Sequence, residues 1–203
     1  MTVYNLDIKD KKLFPNFTQL PYDNDYDVTF YKEDAESGIL RPRHHWCFLV
    51  EITEIVPWLR PMYYAKDIDG QSVFIAFHTD DRSPHIAREC KVGDTMAIMY
   101  AQSHAFMDGK IGIRVESHDY VKLLHCSLEK VLDVGEALIS KSCHVCDKPA
   151  KSQCVNCAMK YCNKECQTAD WKLRHKEECN IIGRCFLRWR CFDWWKFEFF
   201  RTP

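Results

Sequence analysis

The stretch CHVCDKPAKSQCVNCAMKYCNKECQTADWKLRHKEEC, running from Cys143 to Cys179, decides how this chain is read. It holds seven cysteines and His175 in four pairs: Cys143-x2-Cys146, Cys154-x2-Cys157, Cys162-x3-Cys166 and His175-x3-Cys179. A C-x2-C pair makes a tight knuckle that offers two thiolates to one metal. Residues four apart on a helix share a face, so the two later pairs also converge. Zinc takes four such ligands, and eight ligands therefore imply two ions. The pairs can join sequentially or alternately, and spacing alone leaves both open. With every position filled by protein, neither ion keeps the vacant site that a catalytic zinc needs.

The same stretch is poor in apolar residues. Val145, Val155, Ala158, Met159, Tyr161, Ala169, Trp171 and Leu173 are too few to form a core of their own. Structural zinc in finger peptides contributes about 10–16 kcal/mol, which replaces that core. Seven thiolates on two divalent ions leave a net negative charge, and Lys141, Lys148, Lys151, Lys160 and Lys164 offset it.

The spacing, together with Tyr161-Cys162, Cys166-Gln167, Asp170-Trp171 and His175-Lys176, resembles the MYND-type zinc finger over residues 143–179. The resemblance implies alternation. Cys143, Cys146, Cys162 and Cys166 hold one zinc; Cys154, Cys157, His175 and Cys179 hold the other. It also implies a recognition role, because MYND modules generally bind short proline-containing peptides of partner proteins. The family's peptide-contacting Gln and Trp fall on Gln167 and Trp171. Asp170 reads as a helix cap and His144 as an exposed neighbour of the ligands.

Around the finger, the 203 residues are 46% hydrophobic and 28% charged, an ordinary globular composition. A formal net charge of −1 gives no global pull toward nucleic acid or anionic membrane. MTVYNLDIKDKK lacks a signal-peptide core, and no run reaches the ~18 apolar residues of a membrane span. The expected compartment is cytoplasm or nucleus, where thiols stay reduced and metal is preferred to disulfides.

Four regions are predicted, and the fold class is α+β. Residues 1–45 form an irregular arm that packs on the next region, since its aromatics are costly to leave in water. Residues 46–140 form a β-rich domain. WCFLVEITEIV, PMYYAKD, SVFIAFH, VGDTMAIMYA and GKIGIRVES read as strands, and YVKLLHC as a sixth. Asp69-Gly70 marks a hairpin. SPHIAREC (83–90) and SLEKVLDVGEAL (127–138) read as helices, the second weakened by Gly135. Three strands, a short helix and two strands is the order of an OB-type barrel. Residues 141–180 are the finger and 181–203 an aromatic tail.

In the tail, Phe186, Trp189, Phe192, Trp195 and Phe199 recur at helical spacing among basic residues. Docking onto the β domain is the expectation; contact with a membrane surface or with a partner is the alternative. His44-His45 reads as a surface pair.

The chain thus reads as a zinc-binding interaction protein with a peptide partner, not an enzyme. Two rivals stand beside that reading. A MYND-linked protein-lysine methyltransferase needs an Asn-His-Ser-Cys type cofactor motif, absent here. A single-stranded nucleic-acid binder needs a basic groove, whereas residues 46–126 carry many acids and no basic stripe.

Overall fold

The computed structural model describes Tyr4, residues 6–80 and residues 89–197. These fall into two compact units. One holds Lys9–Leu128 with residues 194–197; the other holds Glu129–Asp193 with the described residues up to Ile8.

In the first unit, the arm is more regular than its sequence announces. Tyr31–Glu33 (β1) and Leu40–Pro42 (β2) pair as an antiparallel hairpin. Seven further strands follow: Cys47–Val56 (β3), Met62–Asp67 (β4), Ser72–Phe77 (β5), Thr95–Met99 (β6), Ser103–Ala105 (β7), Ile111–Val115 (β8) and Val121–Leu124 (β9). They form one sheet in the order β7-β8-β5-β4-β3-β6-β9. β6 and β7 are one stretch of chain interrupted at Tyr100, whose φ of 56° breaks the extended backbone. Taken as one broken strand, β6–β7 meets β3 at one end and β8 at the other. β5 and β8 run parallel, while the other neighbours run antiparallel. This circuit, first-second-third-fifth-fourth and back to the first, is that of an OB-like barrel. The helix predicted at 83–90 falls largely on residues 81–88, outside the described residues.

Trp46, Phe48, Val50, Ile52, Tyr63, Ile75, Phe77, Met96, Ile98 and Ile113 fill the barrel. A bulge between Ile52 and Glu54 bends β3 as it passes from β6 to β4. The predicted Asp69-Gly70 turn is present, with Gly70 at φ 80°. Asp67 organises it. Its carboxylate accepts from the backbone N–H of Asp69 and Gln71, and also from Phe17 of the arm at 2.8 Å.

His44 and His45 are buried, against the surface reading. Adjacent residues on extended chain face opposite ways, and both faces here are covered. His44 Nε2 meets the Lys12 carbonyl at 3.0 Å, and His45 Nδ1 meets the Tyr100 hydroxyl at 2.5 Å. The end of the tail supplies part of that cover. Trp194 packs on Phe14, Trp195 on His44 and Phe197 on His45.

The second unit begins with α1 (Leu128–Ile139), which buries Val131, Val134 and Leu138 on one face. Gly135 is a packing notch rather than a weak point. A Cβ there would lie 2.8 Å from Phe186 Cζ and 3.0 Å from Ile8 Cδ1. This helix therefore groups with the finger. Ser152–Gln153 (β10) and Lys160–Tyr161 (β11) form a small antiparallel pair. A continuous helical run follows: α2 (Lys164–Asp170), a π-helical turn (Trp171–His175), α3 (Lys176–Glu178), a second π turn (Cys179–Gly183) and α4 (Arg184–Arg190). The tail aromatics are thus divided, with Phe186 and Trp189 of α4 buried in this unit. Phe199 lies outside the described residues. Among the described residues, no helix is long and apolar enough to cross a membrane.

Candidate metal centre

Two knuckles of the same construction build the finger. In the first, Cys143 N donates to Lys148 O and Asp147 N to Cys143 O. In the second, Cys154 N donates to Met159 O and Ala158 N to Cys154 O. The residue after each C-x2-C is left-handed, Asp147 at φ 56° and Ala158 at φ 66°. That turn reverses the chain within one residue and points both thiols of a knuckle the same way. The backbone bond from His144 N to Lys160 O carries the first knuckle to β11, next to Cys162.

Cys162 stands just before α2 and Cys166 in its first turn. Asn163 caps the helix, and its side chain accepts from Cys166 N at 2.8 Å. The cap satisfies an open N–H and fixes a ligand in one step. His175 closes the first π turn and Cys179 opens the second. Such wide turns inside α-helices are frequent at functional sites.

The ligand atoms gather in two groups, Cys143, Cys146, Cys162 and Cys166 in one and Cys154, Cys157, His175 and Cys179 in the other, each within 4.8 Å. The grouping is alternating: each knuckle is joined to a later pair across the other. In the first group, Sγ–Sγ distances include 3.5 Å (Cys146–Cys162), 3.6 Å (Cys162–Cys166) and 3.9 Å (Cys146–Cys166). In the second, Cys154 and Cys179 are 3.9 Å apart and Cys157 Sγ is 3.5 Å from His175 Nε2. A zinc tetrahedron with ~2.3 Å sulfur and ~2.05 Å nitrogen bonds has edges of about 3.8 Å and about 3.6 Å. The residues fit two zinc ions in size, donor type and number.

The ligand side chains are shifted in different directions by their surroundings. Burial holds His175 below its ordinary imidazole value, leaving a neutral nitrogen for coordination. Burial pushes the Cys157 thiol up, and the Cys162 thiol beside Cys166 pushes Cys166 up to about 12. Cys143 goes the other way. Burial would raise it, but backbone N–H groups of Val145, Cys162 and Cys146 outweigh that and draw it down to about 6. Without a cation, four clustered thiols resist ionising together; a divalent ion removes that obstacle.

Two residues outside the ligand set organise the finger. Asp170, expected as a cap, is buried and accepts three side-chain bonds: from Tyr161 Oη at 2.7 Å, His144 Nδ1 at 3.1 Å and Arg174 Nε at 2.9 Å. Burial would raise its carboxyl, yet these donors hold it below the usual carboxylate range. His144 belongs to the first knuckle and is only half-buried, but it is engaged rather than free. Gly183 is the second. A Cβ there would sit 2.4 Å from Cys157 Cβ, so the second π turn lies directly against a ligand.

Gln167 is half-buried on α2, and Trp171 lies one turn later with 37% of its surface exposed. The Trp171 ring also packs on the His175 ring at 5.7 Å. A hollow of about 350 Å³ beside it is lined by Trp171, Lys172, Leu173, Arg174, Lys176 and Glu177.

The family model for the MYND finger matches residues 143–179. Residues 143–179 form a MYND finger with two zinc sites. Dauer abnormal formation protein 25 of Caenorhabditis elegans is 30% identical over 79 residues, 38% of this chain and 19% of that protein. Ubiquitin carboxyl-terminal hydrolase 15 of Arabidopsis thaliana is 39% identical over 46 residues, 21% of this chain and 5% of that protein. The chain thus spans a fifth or less of either relative. Among solved structures, Schizosaccharomyces pombe Pot1pC bound to single-stranded DNA superposes at TM-score 0.33 and 10% identity, over 54% of this chain and 99% of that one. The S. pombe Stn1–Ten1 complex gives 0.33 and 13%, over 61% and 79%. Superpositions this loose leave the OB-like assignment resting on strand order.

Proposed function

We propose that the MYND finger recruits a partner protein by binding a short proline-containing peptide beside Trp171, with Gln167 as a second contact. The observation that carries this reading is the double placement of Trp171. One part of the ring supports the zinc ligand His175, and the rest is open next to a hollow. An indole face suits proline rings, and a preformed extended peptide loses little entropy on docking. The Gln167 amide both donates to and accepts from an extended backbone. On this reading the chain is a binding module rather than an enzyme, and it works in the cytoplasm or nucleus.

The test is a screen of the zinc-loaded chain against proline-containing peptides, with Trp171→Ala and Gln167→Ala as comparisons. Specific binding lost in Trp171→Ala, with two zinc ions retained, supports the proposal. Absence of any binder, or binding that ignores both substitutions, refutes it.

A further inference from the structure

The barrel unit holds a partly enclosed cavity of about 310 Å³, at the lower end of the range for small-molecule sites. It lies where the broken strand β6–β7 passes under the β1–β2 hairpin. Four aromatic rings border it in a chain of near-perpendicular contacts: Tyr31 to Trp46 (86°), Trp46 to Tyr100 (87°) and Tyr100 to Tyr120 (83°). The Trp46 indole N–H is already spent on the Ala101 carbonyl at 2.9 Å, so that ring offers only apolar surface.

The charged groups on the lining already have partners within it. Glu116 pairs with Arg114 at 2.7 Å, and the Asp23 carboxylate bonds to the His104 ring. A charged ligand would have to compete with these contacts, so a neutral one is favoured. Gln102 is a polar group on the lining with capacity to spare. Its Nε2 donates to Tyr31 Oη at 2.7 Å. A carboxamide has two N–H bonds and a carbonyl with two lone pairs. Among the described residues, no other partner engages the second N–H or the carbonyl of Gln102. Burial raises the Tyr31 hydroxyl to about 12, so it stays protonated and neutral beside that amide.

An aromatic-walled cavity whose charged groups are already partnered, with one open carboxamide edge, selects a matching shape and edge. We infer that this cavity binds a neutral planar heteroaromatic ring bearing a lactam edge, an N–H beside a C=O, paired edge to edge with Gln102. That chemistry is present in free nucleosides and related small molecules, and in bases of a single strand. The inference concerns the barrel alone and stands apart from peptide binding by the finger.

The experiment is a titration of the zinc-loaded full chain followed by NMR of the Trp46 indole and Gln102 side-chain amide signals. The probes are inosine, 1-methylinosine, whose lactam N–H is blocked, and single-stranded oligothymidylate. Inosine is expected to saturate one site, and N1-methylation to weaken it about tenfold or more, as loss of a paired edge implies. Gln102→Leu should weaken inosine similarly. Gln102→Glu keeps the shape and the contact with Tyr31 but removes the donor, and should do the same even if the leucine variant folds poorly. If oligothymidylate displaces inosine, the ring arrives on a strand; if it does not, the ligand is a free molecule. No saturable inosine binding, or equal binding of 1-methylinosine, or no effect of Gln102→Glu, overturns the inference.

Discussion

The Tyr161 hydroxyl donates to Asp170 Oδ2 at 2.7 Å, inside a segment with almost no apolar core. Tyr161 precedes the ligand Cys162, and Asp170 lies five residues before the ligand His175. The bond therefore ties β11, beside a ligand of the first zinc, to the helical run that carries Cys166 of the first site and His175 of the second. A buried carboxylate losing its donors, or donors losing their carboxylate, costs about 1–3 kcal/mol per unsatisfied group. Asp170→Ala should destabilise the zinc-loaded finger by a few kcal/mol and Tyr161→Phe by about 1 kcal/mol. Guanidinium unfolding of the two variants checks this; equal stability to the parent chain would deny Asp170 its linking role.

Gly183 lies outside the matched finger and touches one of its ligands. Gly183→Ala would drive a Cβ to within 2.4 Å of Cys157 Cβ, a backbone-anchored atom that cannot swing away. The second zinc should then leave about 10–100-fold more readily, the usual scale when support around a ligand is lost. The first zinc should be unaffected. Competition with a chromophoric chelator, read as two separate release phases, measures both. Release unchanged in both phases would show that the π turn yields without cost.

Ala158 pays a conformational penalty that glycine would not. Its φ of 66° is left-handed, where a Cβ costs roughly 1–2 kcal/mol. Glycine removes that strain but adds freedom to the unfolded chain, so Ala158→Gly should gain a net ~0.5–1 kcal/mol. Denaturant midpoints of the zinc-loaded proteins decide it, and a loss of stability would mean the methyl group packs usefully.

His44 gives the barrel unit a pH dependence. Burial, opposed by its bond to the Lys12 carbonyl, holds it below its ordinary value near 6.5. The unfolded chain therefore binds a proton on this ring at a pH where the folded one does not. Stability from this group is complete above pH ~6.5 and falls as pH drops toward the lowered value. His44→Gln retains a side-chain N–H for Lys12 without titrating. Its unfolding midpoint should fall less between pH 7 and pH 5 than that of the parent. Identical slopes would place the dependence elsewhere.

The ligands were legible because coordination chemistry demands fixed residue types at fixed spacing. The strands of the barrel were legible from β-branched and aromatic runs between turn residues. What stayed hidden depends on contacts distant in sequence. A mid-helix Gly135 reads as a propensity fault until Phe186 and Ile8 are seen in its notch. Asp170 reads as a cap until burial and three donors show it to be a hub. His44 and His45 read as solvated because nothing local announces that the arm and the tail cover them. Tyr100 reads as the end of a strand, although its left-handed φ is a break after which the chain resumes as Ser103–Ala105 and reaches β8.

Two interleaved zinc sites stand in for a hydrophobic interior between Cys143 and Cys179. Native mass spectrometry of the purified chain measures this directly. Two zinc ions per chain, with one lost when Cys157 is changed to serine, is the predicted result. A chain carrying one ion or none, or one whose finger keeps its fold after a chelator has stripped the metal, would contradict it.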